Sequence, residues 1–169
     1  MHGLMHAPGL ASGLIALIAC TPATPPAGDA AADAAVIRSF SQHFVKAYSA
    51  GDADAIAALY AEDAVVSVPD APAVRGRAAI REYWASDITA SAPSGLRIAF
   101  GPDSDVGLTG DLGWESGSLS AVDGSGAAVY QGKYLTVFRK TNGKWFMLRD
   151  IWNSDAPLPA TPAAGAPPK

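Results

Sequence analysis

The spacing of apolar residues changes once along this chain, and that change limits the folds open to it. Ile37, Phe40, Phe44 and Tyr48 follow one another at +3, +4 and +4, which sets them on one face of a helix. Asp33 is expected as the N-cap of that helix and Gly51 as its stop. Asp52 then caps a second, short helix whose Ile56, Leu59 and Tyr60 face inward. The run Ala64 to Val68 is rich in β-branched residues and reads as a strand, which Pro69 ends. Gly76 and Arg77 open a third helix with Ile80, Tyr83 and Trp84 on one side.

Beyond this point strand chemistry takes over. Residues 96–100 form a short strand ended by Gly101 and Pro102. Residues 111–122 alternate loosely, with Leu112, Trp114, Ser116 and Ser118 on one face, and Asp123-Gly124-Ser125-Gly126 is a turn. Residues 129–140 make a long strand, and residues 144–153 return as the last one. Between them Asn142-Gly143 supplies a tight hairpin, because this pair tolerates the positive φ of a type I′ turn. Three helices around one early strand, followed by a meander of strands, predict an α+β fold. Its helices pack on one face of a curved, mostly antiparallel sheet.

The ends of the chain differ from this middle. Leu10 to Ala19 is an apolar run too short for a bilayer core, which needs about 20 apolar residues. The run closes on Cys20, the single cysteine. The segment Leu17-Ile18-Ala19-Cys20 resembles a bacterial lipoprotein signal, which implies that residues 1–19 are removed and Cys20 becomes the lipidated N-terminus. Contact with a membrane is then made only through that lipid, in an exported protein of the cell envelope that faces the periplasm. An ordinary secretory leader with an incidental cysteine is the alternative. Residues 20–32, rich in Pro, Ala and Thr, read as a flexible linker, and residues 156–169, with five prolines, as a disordered tail. The folded domain is therefore expected over residues 33–155.

Charge and residue counts remove several functions. The net charge of -4 argues against nucleic acid as a partner, since that ligand selects a basic face. One cysteine forms no intrachain disulfide and no cysteine-based metal site. With the leader removed, His43 is the sole histidine, so no metal is expected, and no cofactor. His43 lies off the apolar line of its helix and is read as a surface residue.

The segment Gly51-Asp52-Ala53-Asp54-Ala55-Ile56-Ala57-Ala58-Leu59-Tyr60-Ala61-Glu62-Asp63-Ala64 is followed by Pro69, by Gly76-Arg77-Ala78-Ala79-Ile80, and by the closing Gly143-Lys144-Trp145 and Arg149-Asp150-Ile151-Trp152. Together these resemble the nuclear transport factor 2-like superfamily, with its SnoaL-like and ketosteroid isomerase-like members. The resemblance implies a cone in which three helices and a curled sheet enclose an apolar pocket. It also implies a homodimer through the outer face of the sheet. Fold alone does not carry activity. In the ketosteroid isomerases a carboxylate base stands before the strand-ending proline, a tyrosine and a protonated aspartic acid being the oxyanion donors. Here those positions hold Val68, Phe44 and Thr136, so that chemistry is not expected.

Two polar residues remain as catalytic candidates. Alternation along the last strand puts Asp150 on one face with Phe146, Leu148 and Trp152. A carboxyl among such neighbours acquires a raised pKa and can act as acid or base; a purely structural role is the alternative. Tyr134, on the adjacent strand, offers a hydroxyl to a ligand or to Asp150. Trp114 is expected to face inward, which sends Glu115 to solvent. Asp63 is read as a turn cap, and Arg75 and Arg77 as surface residues. Phe44, Tyr48, Tyr60, Trp84, Trp114 and Trp152 are the candidate lining of a site for a small hydrophobic ligand. Two functions follow: a non-catalytic binding domain, or a cofactor-independent isomerase, cyclase or hydrolase that uses Asp150.

Overall fold

A computed structural model describes residues 27–156 of the chain, with side chains from residue 30. The leader, Cys20, the linker ahead of Ala27 and the tail beyond Ala156 lie outside the described residues. The first helix, α1 (Ala27–Ser49), starts earlier than expected, inside the segment read as linker. Asp33 is consequently an interior residue of α1 and not its cap. Its carboxylate accepts from Lys140 Nζ at 2.9 Å and from Trp145 Nε1 at 2.8 Å, and so ties the helix to the last two strands. The Lys140 and Trp145 bonds hold its pKa below the ordinary carboxylate value.

Helix α2 (Ala53–Ala58) is capped as expected, with the Asp52 side chain accepting from the Ala55 N–H at 2.8 Å. The helix stops two residues sooner than the apolar spacing suggests. Tyr60 therefore enters the core as the first residue of strand β1 (Tyr60–Ser67) and not from a helix. A two-residue strand, β2 (Val74–Arg75), precedes α3 (Arg77–Ser91). Arg77 fastens the start of α3 to β1 by donating to the Tyr60 carbonyl at 2.8 Å and pairing with Glu62 at 2.5 Å. Asp63 forms an ion pair with Arg139 at 2.5 Å and is not a turn cap.

Strands β3 (Arg97–Phe100), β4 (Asp105–Thr109), β5 (Leu112–Val122), β6 (Ala128–Thr141) and β7 (Lys144–Ser154) complete the chain. The sheet runs β2-β1-β7-β6-β5-β3, with β4 also on β5. Only β1 and β7 are parallel; the other pairings are antiparallel. Asn142 and Gly143, with φ of 51° and 76°, turn β6 into β7 as their types require.

The α1 face that carries Ile37, Phe40, Phe44 and Tyr48 lies against the sheet, together with Ile80 and Trp84 of α3. Ile37, Ile56 and Ile80 are fully buried, and each such side chain stabilises the fold by about 1.5–3 kcal/mol. No described helix is long and apolar enough to cross a membrane.

Candidate functional site

Register sets which side chains meet on the inner face of the sheet. Glu115, Thr136 and Asp150 stand opposite one another on β5, β6 and β7 and form one cross-strand row. The next row is Gly117, Tyr134 and Trp152. On the other side lies the row of Gly113, Phe138 and Met147. The absence of a side chain at Gly117 has a local purpose. A Cβ there would lie 3.1 Å from the Tyr134 ring, so glycine lets that ring lie flat across the strand.

These rows correct two expectations drawn from alternation. Glu115 is the inward residue of β5, at 2 % exposure, whereas Trp114 faces outward at 37 %. The outward indole lies against Gly107 of β4, where any Cβ would collide with it. Strand β4 thus creates the seat for Trp114, and this strand has no strong signal of its own. The second correction concerns β7. The register skips Leu148 between the Val137–Arg149 and Phe138–Met147 pairs, as a β-bulge does. One extra residue reverses the alternation. Asp150 and Trp152 therefore share the inner face with Trp145 and Met147, and not with Phe146 and Leu148.

Between this face and the helices lies a cavity of about 440 Å³. Phe40, Ser41, Phe44 and Tyr48 of α1 and Tyr83, Trp84 and Asp87 of α3 form one wall. Ile98 and Phe100 of β3, with Glu115, Tyr134, Thr136, Asp150 and Trp152, form the other. Of the expected lining residues, Phe44, Tyr48, Trp84 and Trp152 are there, and so are Tyr134 and Asp150. Trp114 is not, because it faces outward. Tyr60 is not in the lining either; it is fully buried behind Asp150.

The rings make a continuous belt. Trp84 stacks on Trp152 with centroids 5.7 Å apart and meets Phe44 edge-on at 5.0 Å. Phe44 meets Phe100 at 6.0 Å, and Phe100 meets Tyr134 at 5.0 Å. Edge-to-face and offset pairs at these distances add about 0.5–1.5 kcal/mol each beyond the area they bury.

Polar groups interrupt the belt in three places. Asp150 accepts from Tyr60 Oη at 2.7 Å and from Thr136 Oγ1 at 2.9 Å. Burial raises its pKa, and the two hydroxyls pull it back only in part. The same burial, with the Asp150 charge beside it, pushes the Tyr60 phenol well up. Asp150 thus meets neither solvent nor an arginine. Tyr48 donates to Asp87 at 2.7 Å and exchanges a hydrogen bond with Ser91 at 2.8 Å; burial first, then Asp87, pushes its phenol up to about 12. The Tyr134 hydroxyl lies within reach of Ser41 and Glu115 but is not aligned for a hydrogen bond to either. Burial pushes it up to about 12. The indole N–H of Trp84 is likewise buried without a partner. Among the described residues no cluster of His, Cys, Asp and Glu is arranged to hold a metal ion.

The outer face of the sheet is apolar where Leu135 and Ile151 stand opposite each other on β6 and β7. Both are exposed, as is Trp114 on the same face.

Residues 41–147 match the family model of the SnoaL-like domain. No curated protein matches the chain. Among solved structures, a nuclear transport factor 2-like protein with a cystatin-like fold from Novosphingobium aromaticivorans superposes with a TM-score of 0.68 at 23% identity; the match covers 84% of this chain and 96% of that one. A protein of unknown function with a cystatin-like fold from Nostoc punctiforme gives 0.68 at 19% identity, covering 76% and 96%. A proposed dehydratase of the same superfamily from Streptomyces avermitilis gives 0.63 at 20% identity, covering 76% and 99%. At these identities the likeness is one of fold.

Proposed function

Since the chain belongs to the SnoaL-like domain family, whose fold hosts many activities, we propose that its function is read from its cavity: it binds one small, largely apolar molecule. The observation that carries this reading is the aromatic belt around a cavity of about 440 Å³, interrupted by only a few polar groups. Binding sites for small molecules have this size and composition. The arrangement of Asp150 favours binding over catalysis. Both of its oxygens are engaged by Tyr60 and Thr136, and neither Tyr134 nor Tyr48 reaches it.

The alternative, acid–base catalysis by Asp150 on a small hydrophobic substrate, draws on its raised pKa and its place in the cavity wall. A proposed dehydratase among the structural neighbours is in keeping with that alternative.

Trp84 and Trp152 sit in the wall, so a ligand alters indole emission directly. N-phenyl-1-naphthylamine, a neutral aromatic probe, is expected to quench tryptophan emission saturably at one molecule per chain. A titration that never saturates would refute the binding reading.

We further propose that the domain works in the cell envelope, tethered through Cys20. The support is the apolar run that ends on this cysteine. Mass spectrometry of the mature N-terminus is expected to find an acylated Cys20; an unmodified cysteine, or cleavage elsewhere, rejects the tether.

A further inference from the structure

Resting on the binding reading above, we propose that Glu115 anchors the ligand and that the ligand carries a protonated amine on an apolar body. The argument begins with charge. Asp87, Glu115 and Asp150 all line the cavity, and no Lys, Arg or His does. Two of these carboxylates are already served: Asp150 by Tyr60 and Thr136, and Asp87 by Tyr48.

Glu115 is served least. It is 2 % exposed, and among the described residues it enters no ion pair. Its side-chain hydrogen bond is a long one, from Ser41 Oγ at 3.4 Å. A carboxylate removed from water with so little compensation is costly unless something else supplies donors.

A second group points to the same place. The Tyr134 hydroxyl belongs to the neighbouring row of the sheet, in a residue 7 % exposed. It lines the cavity beside Ser41 and Glu115 but is not aligned for a hydrogen bond to either. An ammonium carries three donors and no acceptor. It can donate to a Glu115 oxygen and to the Tyr134 oxygen together, satisfying both groups at once. The Phe100 and Tyr134 rings, in edge-to-face contact at 5.0 Å, add faces that attract a cation. A neutral apolar molecule would leave Glu115 with only the long Ser41 hydrogen bond and no counter-charge. An anionic one would meet three carboxylates with no counter-charge among the lining residues.

Isothermal titration calorimetry of the full chain with three probes of one shape tests this. They are 2-phenylethylamine, its neutral counterpart 2-phenylethanol, and the anion 3-phenylpropanoate. The amine is expected to bind at least about tenfold more tightly than the alcohol, as one charge-assisted hydrogen bond allows, and the anion most weakly. In Glu115→Gln the preference for the amine over the alcohol should disappear while the affinity for the alcohol stays. Tyr134→Phe should weaken the amine severalfold and leave the alcohol alone. Equal binding of amine and alcohol by the native chain overturns the amine assignment and leaves the binding reading standing. So does an amine preference that survives in Glu115→Gln. Failure of all three probes to bind overturns both. If Glu115→Gln does not fold, the native amine-to-alcohol ratio and Tyr134→Phe decide the matter.

Discussion

Trp84→Ala is expected to lower the stability of the domain by about 3–5 kcal/mol, the range for removing a large buried aromatic side chain. Trp84 is 5 % exposed and touches four rings: Phe44, Tyr48, Tyr83 and Trp152. These come from α1, α3 and β7, so one indole holds two helices to an interior strand of the sheet. Truncation removes its own burial and leaves a void that three separate elements border. Urea denaturation of native and variant chains measures the loss directly. A loss below about 1 kcal/mol would mean that the helices are held to the sheet by other contacts, above all Asp33 with Lys140 and Trp145. The variant should also lose the quenching signal of the aromatic probe, since one wall of the cavity is gone.

Asp150→Ala is expected to cost about 2–4 kcal/mol, because two buried hydroxyls, those of Tyr60 and Thr136, lose their acceptor. Asp150→Asn keeps an acceptor at this position and should fold with a far smaller loss. The asparagine variant also isolates a dependence on pH. Burial raises the pKa of Asp150 in the folded state above its ordinary carboxylate value. The folded chain therefore holds this proton more tightly than the unfolded chain does. The resulting stabilisation is fully present below the unfolded pKa and is lost as pH rises through the raised folded value. Asp33 and Asp63 behave in the opposite sense. Their pKa values are lowered by the bonds to Lys140 and Arg139, so their contribution is lost as pH falls. Both are common to the native chain and to Asp150→Asn, and they cancel in the difference. The native chain minus the variant should therefore lose stability as pH is raised from the ordinary carboxylate range. A difference that grows with pH would mean that the Tyr60 and Thr136 hydrogen bonds outweigh burial and that Asp150 is an ordinary anion in the fold.

Much of the fold was legible because its signals are local. The α1 stripe, the Asp52 cap and the Asn142-Gly143 hairpin each depend on residues within a turn or two of one another. The site was less legible. Alternation along β5 is real, but its phase is the reverse of the one that sends Glu115 to solvent. Period two determines that Trp114 and Glu115 face opposite ways. It does not say which way is in, and a shift of one residue reverses every side chain. The bulge at Leu148 is the same problem on β7. Nothing in Lys144 to Trp152 marks the skipped residue, yet it decides which side chains share the cavity wall with Asp150.

Signals between residues close along the chain establish three helices around an early strand ahead of a strand meander, the position of the strongest turn, and the family. Of the apolar neighbours that alternation assigns to Asp150, Trp152 shares its face, while Phe146 and Leu148 do not. Packing between distant elements makes Tyr60 and Thr136 the partners of Asp150, turns Glu115 and not Trp114 to the cavity, and makes Asp33 a cross-link and not a cap. The physical reason is range. Caps, turns and periodicity are set by neighbours along the chain, whereas facing direction and hydrogen-bond partnership are set by strands and helices distant in sequence, through the surface that each leaves for the other to cover.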